Sequence, residues 1–288
     1  MAMEGEDSVG ESKASKEYWE SIWRGGELPR PINSRDRSLK NHVGLKFDAL
    51  FRQVFGGEHR CGAPSLIELG CARSAWLPYF SKELGFRIAG LDYSPLGCDQ
   101  ARAFLAMQGV EGDITMADIF DAPPNLLNHF DCVVSFGVVE HFKATGECLR
   151  ACAAFLKPGG TMVTVIPNMN GLVGWLQKWL GREAYDVHVP LDAEALGSAH
   201  EATGLDVLRC EYFCFANFGV LNLNRIRQSA PGLWLSRGLT AISAATWMLE
   251  RAGIRLPANR MTSPHVICVS KKEALGSVRP PTEAGSAI

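Results

Sequence analysis

Three acidic residues stand where short apolar segments of this sequence end. Glu68, Asp92 and Asp118 each lie at or just after the end of a segment with the pattern of a buried strand. The carboxyl ends of parallel strands meet in one crevice, where such folds bind nucleoside-bearing ligands. Carboxylates there accept hydrogen bonds from ribose hydroxyls or from a base amine. The spacing therefore predicts a crevice for a nucleoside-bearing cofactor.

The turn after the first segment narrows the choice of cofactor. A dinucleotide fold needs several glycines there, because the backbone must approach a pyrophosphate at a helix N-terminus. Residues 70–74 read Gly-Cys-Ala-Arg-Ser and lack the second and third glycines. Glu68 stands two residues before Gly70, where a carboxylate repels a diphosphate and favours a cation. The charges therefore favour S-adenosylmethionine, whose sulfonium and amino groups are cationic, with Asp92 on the ribose and Asp118 on the adenine.

Two of these carboxylates also have simpler interpretations. Asp92 begins the run Asp-Tyr-Ser-Pro, which is a good start signal for a helix, although Ser94 suits that role better. Asp118 could be an ordinary turn residue. Glu68 is a poor candidate for a solvated strand end, because the segment before it is apolar and parallel strands are buried.

The elements that position these residues alternate regularly between strand and helix. We expect strands at 65–69, 86–91, 113–117, 130–136 and 160–166, alternating with helices at 74–84, 95–109, near 122–128 and at 144–156. The turn Lys157–Gly160 is expected to stop the last of these helices and open the next strand. Parallel neighbours need crossover connections, so this alternation predicts an α/β fold, a doubly wound parallel sheet with helices on both faces. Two further strands are expected at 205–213 and 265–270.

Segments outside this alternation of strands and helices suggest how the chain divides into domains and flanking segments. Residues 1–60 are expected to form an N-terminal helical lid segment, 61–275 the main domain and 276–288 a flexible tail. Within the main domain, about 216–260 reads as a helical insertion, since ordinary loops are far shorter.

Aromatic and apolar residues mark the two helical segments. In the first segment, Tyr18, Trp19 and Trp23 could close over the cofactor or simply pack as a core face. The insertion carries an apolar stripe at helical spacing. That stripe comprises Leu235, Leu239, Ile242 and Leu249, widened by Trp234, Trp247 and Met248.

Five short motifs of the sequence together resemble those of the class I S-adenosylmethionine-dependent methyltransferases of the small-molecule type. They are Glu68-Leu-Gly70, Gly90-Leu-Asp92-Tyr-Ser94, Ala117-Asp118, Phe130-Asp131 through Glu140-His141, and Leu156-Lys-Pro-Gly-Gly160. The resemblance implies a mostly parallel seven-stranded sheet with N-terminal helices, the helical insertion and a last antiparallel strand. It also implies an enzyme that uses S-adenosylmethionine.

The resemblance further implies roles for individual residues. Glu68 and Gly70 would lie against the methionine end, Asp92 would hold the ribose, and Asp118 with Ile119 would cup the adenine. Phe136 and Gly137 would border the methyl group, and Ala72 and Tyr93 complete the expected cofactor-binding set. The chain departs from the family's glycine-rich loop at Ala72 and Ser74.

Methyl transfer from a sulfonium is an in-line displacement that needs alignment and, for a hydroxyl or amine acceptor, is helped by a general base. His141, after the fourth strand, and His188, on a later loop, are the candidate catalytic residues. Each could instead be structural. Glu140-His141 also resembles ubiquinone-type O-methyltransferases, which use a metal and place another carboxylate three residues before the Glu. That position is Gly137 here, so no metal is expected.

Composition limits the partners. A net charge of −2 and a pI near 6.4 give no basic field for nucleic acid, so a small-molecule acceptor is expected. The first twenty residues have no apolar core, and the cysteines stand singly, which favours a cytoplasmic protein. The oligomeric state is left open.

The insertion leaves the acceptor and a membrane role open. An apolar cap over the crevice would suit a hydrophobic or amphipathic acceptor. It could instead lie on a membrane surface, with Arg225, Arg227, Arg237 and Arg251 reaching headgroups. A spanning helix is not expected, because Arg237 interrupts an already short window.

The leading prediction is an enzyme of specialised metabolism that methylates an oxygen or nitrogen of a small acceptor. One alternative is a non-catalytic module that binds S-adenosylmethionine and docks a partner through the insertion. A nicotinamide-dependent oxidoreductase is a third, against which the missing glycines count.

Overall fold

A seven-stranded sheet organises the chain. The computed structural model describes residues 12–24, 28–56 and 63–274. Its strands are β1 (Ser65–Leu69), β2 (Arg87–Asp92), β3 (Asp113–Met116), β4 (Phe130–Phe136), β5 (Leu156–Pro167), β6 (Leu205–Phe213) and β7 (His265–Lys272). They lie in the order β3-β2-β1-β4-β5-β7-β6. The first five pair in parallel, and β7 is antiparallel to both of its neighbours, β5 and β6. The predicted mostly parallel sheet with an antiparallel last strand is confirmed.

Helices cover both faces of this sheet. They are α1 (Lys16–Trp23), α2 (His42–Phe55), α3 (Trp76–Leu84), α4 (Pro95–Gln108), α5 (Thr145–Ala154), α6 (Leu172–Leu180), α7 (Arg182–Asp186), α8 (Ala193–Glu201) and α9 (Ala230–Arg251). Short 3-10 turns lie at Leu39–Asn41, Pro124–Leu126, Val139–His141, Phe218–Val220 and Ile226–Gln228. Helices α2, α3 and α4 contribute to one core, and α5 and α8 to the other.

The two cores arise from the alternation of side chains along each strand. In β1, Leu66 packs with the first core and Ile67 with the second. In β4, Val134 and Val133 divide in the same way. Successive side chains of a strand point to opposite faces, so strands that are apolar throughout must be covered on both sides. This burial fixes the carboxyl ends of β1, β2 and β4 side by side.

Two expected local structures differ from the observed ones. The helix expected near 122–128 is only the turn Pro124–Leu126, because consecutive prolines remove backbone donors and Asn128 takes a left-handed conformation (φ 50°). The turn at Lys157–Gly160 does not precede β5 but lies within it: the strand begins at Leu156, and its pairing with β4 is irregular there.

The apolar stripe expected in the insertion does form part of a helix, α9, but it mostly faces outward. Of its residues, Leu239 is buried, whereas Leu235, Ile242 and Leu249 are exposed. The expected tail 276–288 and part of the expected lid segment 1–60 lie outside the described residues. The proposed domain boundaries stay predictions.

Candidate active site

A cavity of about 520 Å³ opens at the carboxyl ends of the central strands. This volume is within the usual range for cofactor and small-molecule sites. Ten of the eleven residues predicted from the sequence line it: Gly70, Ala72, Asp92, Tyr93, Asp118, Ile119, Phe136, Gly137, His141 and His188. The structure therefore brings together residues that are more than a hundred positions apart in the chain.

Glu68 is the predicted residue that does not line the cavity. It is buried at the end of β1, and its carboxyl accepts a hydrogen bond from the Ser74 hydroxyl at 2.6 Å. Burial raises the pKa of Glu68 to about 8, although the Ser74 hydrogen bond opposes this shift. Ser74 lies in the turn after β1, where its amide donates to the Cys71 carbonyl at 3.0 Å. A role for Glu68 at the methionine end of the cofactor stays a prediction.

The bend after β1 depends on a glycine at position 70. Gly70 has φ 72°, and its amide donates to the Leu91 carbonyl at 2.8 Å, which ties the bend to β2. A Cβ at this position would lie 2.5 Å from Cγ2 of Val138. Gly70 is therefore required by both conformation and space, and it brings backbone to the cavity wall.

Asp92 is held in place by backbone donors. One carboxyl oxygen accepts from the Ala72 amide at 3.1 Å and the other from the Ser94 amide at 2.9 Å. Ser94 caps α4, accepting from the Gly97 amide, so the helix-capping role belongs to Ser94 as expected. Burial raises the pKa of Asp92 to about 6. Each oxygen keeps a lone pair with which it can accept from a ligand hydroxyl.

Asp118 forms a turn and also lines the cavity, and its contact with adenine stays a prediction. Its Oδ1 accepts from the Phe120 amide at 2.9 Å, which is a turn-forming hydrogen bond, and the residue also lines the cavity. Ile119 is half-buried beside it, and Tyr93 borders the same end from the β2 side. This end offers apolar surface together with acceptor oxygens.

The end of β4 forms the opposite wall. Phe136 stacks on Trp76, with ring centroids 5.4 Å apart. Gly137 has φ 70°, and its amide donates to the Val165 carbonyl at 2.9 Å. A Cβ on Gly137 would lie 3.5 Å from Oε1 of Glu140, so this glycine stands directly beside that carboxyl.

Glu140 was quoted in the sequence motif but was not expected to line the site. It is 1% exposed and lines the cavity. Neither carboxyl oxygen has a hydrogen-bond partner among the residues that the structure describes. Burial raises the pKa of Glu140 to about 8. A buried polar group without a partner is costly, which makes this carboxyl a candidate ligand-binding group.

His141 presents one free nitrogen to the cavity. Its Nδ1 lies 2.8 Å from the Val187 carbonyl oxygen, which can only accept, so the neutral ring carries its proton on Nδ1 and its lone pair on Nε2. Nε2 lies 3.9 Å from Oε1 of Glu140. Burial, followed by the nearby His188, lowers the pKa of His141 to about 3.

His188 repeats this arrangement. Its Nδ1 lies 2.6 Å from the Ala184 carbonyl oxygen, and its ring centroid is 4.6 Å from that of His141. Burial lowers its pKa, and the Lys13 charge acts in the same direction. The Lys13 ammonium also donates to the His188 carbonyl.

One ligand atom from each of Glu140, His141 and His188 lies within 4.8 Å of the others. This donor set could hold a metal ion, but the positive charge of Lys13 close to both rings opposes one. The expectation that the site works without a metal stays a prediction.

The N-terminal segment forms part of the cavity wall. From the sequence alone, its aromatic residues could either close over the cofactor or pack as a core face. Trp19 and Trp23 of α1 line the cavity, and the Trp19 ring meets the His141 ring edge-on at 4.9 Å. The Lys13 amide donates to the His141 carbonyl at 2.7 Å. The Ser94 hydroxyl donates to Glu20 of α1 at 3.0 Å. These contacts place α1 over the crevice; that it opens and closes stays a prediction.

Comparisons with known proteins identify the family to which the chain belongs. A family model described as a methyltransferase domain matches residues 40–209. A ubiquinone biosynthesis O-methyltransferase from Nitrobacter winogradskyi is 26% identical over 217 residues, covering 72% of this chain and 80% of that protein. One from Bradyrhizobium sp. (strain ORS 278) is 30% identical over 183 residues, covering 61% and 70%.

Solved structures share the fold. Geranyl diphosphate C-methyltransferase from Streptomyces coelicolor, solved with Mg²⁺, geranyl diphosphate and S-adenosyl-L-homocysteine, has a TM-score of 0.56 at 15% identity, covering 89% of this chain and 97% of that one. The [4+2]-cyclase SpnF has a TM-score of 0.55 at 16% identity, covering 89% and 91%. At such identities the likeness concerns the fold alone.

Proposed function

We propose that this chain, which belongs to the class I S-adenosylmethionine-dependent methyltransferases, transfers a methyl group to an oxygen or nitrogen of a small acceptor. The observation that carries the proposal is one cavity that joins the Gly70 bend and Asp92 to the buried pair Glu140 and His141. The first two residues form a nucleoside-binding wall, and the pair offers an acceptor for a proton. The residues proposed to bind the cofactor and those proposed to accept a proton thus line the same cavity.

The residues present fit S-adenosylmethionine. Asp92, fixed by two backbone amides, is positioned to accept from ribose hydroxyls. Asp118 and Ile119 provide an acceptor and apolar surface for the adenine. The Gly70 bend, which has no room for a Cβ, brings backbone close to the methionine end. These assignments follow the family pattern and are supported by the positions of the side chains.

When bound, S-adenosylmethionine supplies an electrophilic methyl group on a sulfonium, so the chemistry needs no nucleophile from the protein. The protein's task is to align the acceptor and exclude water. Trp19 and Trp23 of α1 cover the cavity, and Phe136 is fixed by its stack on Trp76. These rings form rigid apolar walls around the space for the acceptor.

Proton removal from the acceptor falls to His141. Its Nε2 lone pair faces the cavity, because Nδ1 is committed to the Val187 carbonyl. An imidazolium in this buried position is unfavourable unless a negative charge lies close, and the Glu140 carboxyl, 3.9 Å away, supplies that charge when it ionises. His188, with its own free Nε2, is the alternative base. Such a base contributes about 10²–10⁴-fold.

The acceptor is best matched by a molecule with an apolar body and a hydroxyl or amine. Phe142, Val138 and Pro167 add apolar surface to the aromatic walls. The two histidines offer acceptor nitrogens, and Glu140 offers acceptor oxygens, both of them once it ionises. A donor group of the acceptor would satisfy Glu140. The O-methyltransferase names of the relatives support oxygen as the first atom to test.

A combined binding and turnover experiment tests this proposal. We expect S-adenosylmethionine to raise the thermal midpoint of the parent, and a panel of phenols, alcohols and amines to yield S-adenosylhomocysteine with at least one member. His141→Ala should bind the cofactor but turn over slowly, whereas His129→Ala, a change at an exposed histidine, should match the parent. Cofactor binding without turnover on any acceptor would favour a non-catalytic binding module and overturn the proposal.

A further inference from the structure

Helix α9 is packed with its small face inward. The residues buried along it are Gly232, Ser236, Leu239 and Ser243. Hydrogen bonds fix this face: the Ser236 hydroxyl accepts from Nε of Arg227 at 2.7 Å, and the Ser243 hydroxyl accepts from the Phe218 amide at 2.9 Å. The orientation of the helix is therefore set by specific contacts.

Leu239 and Trp247 pack inward, but most of the large apolar side chains of the helix lie outside the buried face. This α9 outer face comprises Leu233, Trp234, Leu235, Ile242, Met248 and Leu249, all of which are exposed. Trp234 is 69% exposed and Met248 is 55% exposed. A surface helix in water normally buries its apolar stripe and exposes its polar one. The inverted arrangement here indicates that something covers the outer face.

The charge of this region identifies the kind of occupant. Residues 216–260 contain six arginines, no lysine and a single acidic residue, Glu250, giving a net charge of +5 in a chain whose net charge is −2. Two of these arginines pair with acidic residues outside the segment, Arg225 with Glu183 and Arg260 with Asp192, which offsets part of that charge. Glu250 is itself bound by His42 and Lys46 of α2. On the outer face, the Arg237 guanidinium lies 5.4 Å from the centroid of the Trp234 ring.

We propose that the α9 outer face docks on an anionic phospholipid bilayer. Exposed apolar side chains that include a tryptophan, with an arginine such as Arg237 beside them, are features of helices that lie in the interface between headgroups and acyl chains. A second copy of the chain is a poorer occupant, because a symmetric contact would bring arginines of like charge together. Among the described residues no helix has the length and apolarity needed to cross a membrane, so α9 would lie along the surface.

Vesicle sedimentation tests this proposal without any methyl transfer. The full chain should bind vesicles of phosphatidylglycerol mixed with phosphatidylcholine, bind vesicles of phosphatidylcholine alone much less, and lose binding as salt is raised. Met248→Ser should lower vesicle affinity by about tenfold, since burying one such side chain is worth roughly that factor. Met107→Ser, which changes a similarly exposed methionine on α4, is the matched control and should bind as the parent does.

The charge component has its own pair of variants. Arg237→Glu should weaken binding to the anionic vesicles, whereas Arg87→Glu, at the exposed start of β2, should weaken it much less. Equal binding of the parent, Met248→Ser and Arg237→Glu would overturn the proposal. So would absence of vesicle binding by the parent together with a dimer that Met248→Ser dissociates, since the occupant would then be a second copy. Failure of methyl transfer would affect neither result.

Discussion

The Nε2 atom of His141 lies 3.9 Å from a carboxyl oxygen of Glu140, and both side chains are buried in the cavity wall. The separation is too long for a direct hydrogen bond but leaves room for a ligand donor to contact both atoms. Burial lowers the pKa of His141 to about 3 and raises that of Glu140 to about 8. In the free protein near neutral pH both groups are therefore uncharged.

This pair predicts a pH dependence. Glu140 is protonated below about pH 8 and ionises above it, and only the ionised carboxylate stabilises an imidazolium on His141. The turnover rate should therefore rise as the pH passes through about 8. Glu140→Gln should abolish that rise and lower the rate. Glu147→Gln, at a half-buried salt-bridged position on α5, should leave the profile unchanged, and a profile shared by all three proteins would contradict the assignment.

His141 and His188 can be separated by substitution. His141→Ala should lower kcat by about 10²–10⁴-fold with little change in cofactor affinity, because the ring is assigned to the proton and not to the adenosyl group. His188→Ala should have a smaller effect if His141 is the base. Single-turnover rates measure both. Full activity of both variants would mean that neither imidazole accepts the proton and that alignment alone suffices.

Asp92 should control cofactor affinity. Asp92→Ala should weaken S-adenosylmethionine binding by about 10–100-fold, the value of one or two hydrogen bonds to a charged group, while the fold stays intact. Affinity in the parent should also fall as the pH drops through about 6, where Asp92 becomes protonated. Asp113→Ala, at the far end of β3, is the control. Unchanged affinity by calorimetry would remove Asp92 from the site.

The bend at Gly70 offers a matched pair of glycine substitutions. Gly70 and Gly85 both have φ 72°, so alanine should cost each roughly 1–2 kcal/mol of backbone strain. A Cβ at Gly70 would also overlap Val138, whereas a Cβ at Gly85 would meet nothing within 4 Å. Gly70→Ala should therefore lower the thermal midpoint more than Gly85→Ala does. Val138→Ala should restore part of the difference, and equal losses would show that the overlap is relieved at no cost.

Glu68 should affect stability in a direction set by its raised pKa. The folded protein holds a proton on Glu68 up to about pH 8, whereas the unfolded chain releases it near pH 4.5. The parent's stability therefore falls as the pH rises between these values, by up to roughly 1.4 kcal/mol per pH unit from this residue. Glu68→Gln removes this pH dependence. The free energy of unfolding of the variant, relative to that of the parent, should therefore increase from pH 5 to pH 8. A pH-independent difference in denaturant unfolding would contradict the burial argument.

Much of the fold was predictable because its signals are local. Buried parallel strands read as apolar runs, and carboxylates at their ends mark the crevice, where Asp92 and Asp118 line the cavity. The resemblance in five sequence motifs predicted the family, which the match of the family model over residues 40–209 confirms. The misread segment near 122–128 lacks such signals, because its prolines favour a turn over a helix.

The remaining features depend on contacts that no local pattern reveals. The placement of Trp19 against His141 exists only after segments more than a hundred residues apart come together. The hydrogen bond from Ser74 to Glu68 depends on the irregular geometry of one turn, which no periodic pattern indicates. In α9, apolar residues occur on more than one side, so the sequence did not indicate which face would be buried. The face with Gly232 and Ser236 is the buried one, because small residues allow the helix to approach its neighbours closely.

The most direct test of the whole account is a calorimetric titration of the parent protein with S-adenosylmethionine, S-adenosylhomocysteine and NADH. The account predicts saturable binding of the first two, weakened in Asp92→Ala, and no binding of the dinucleotide. Uptake of NADH together with indifference to both adenosyl compounds would contradict it.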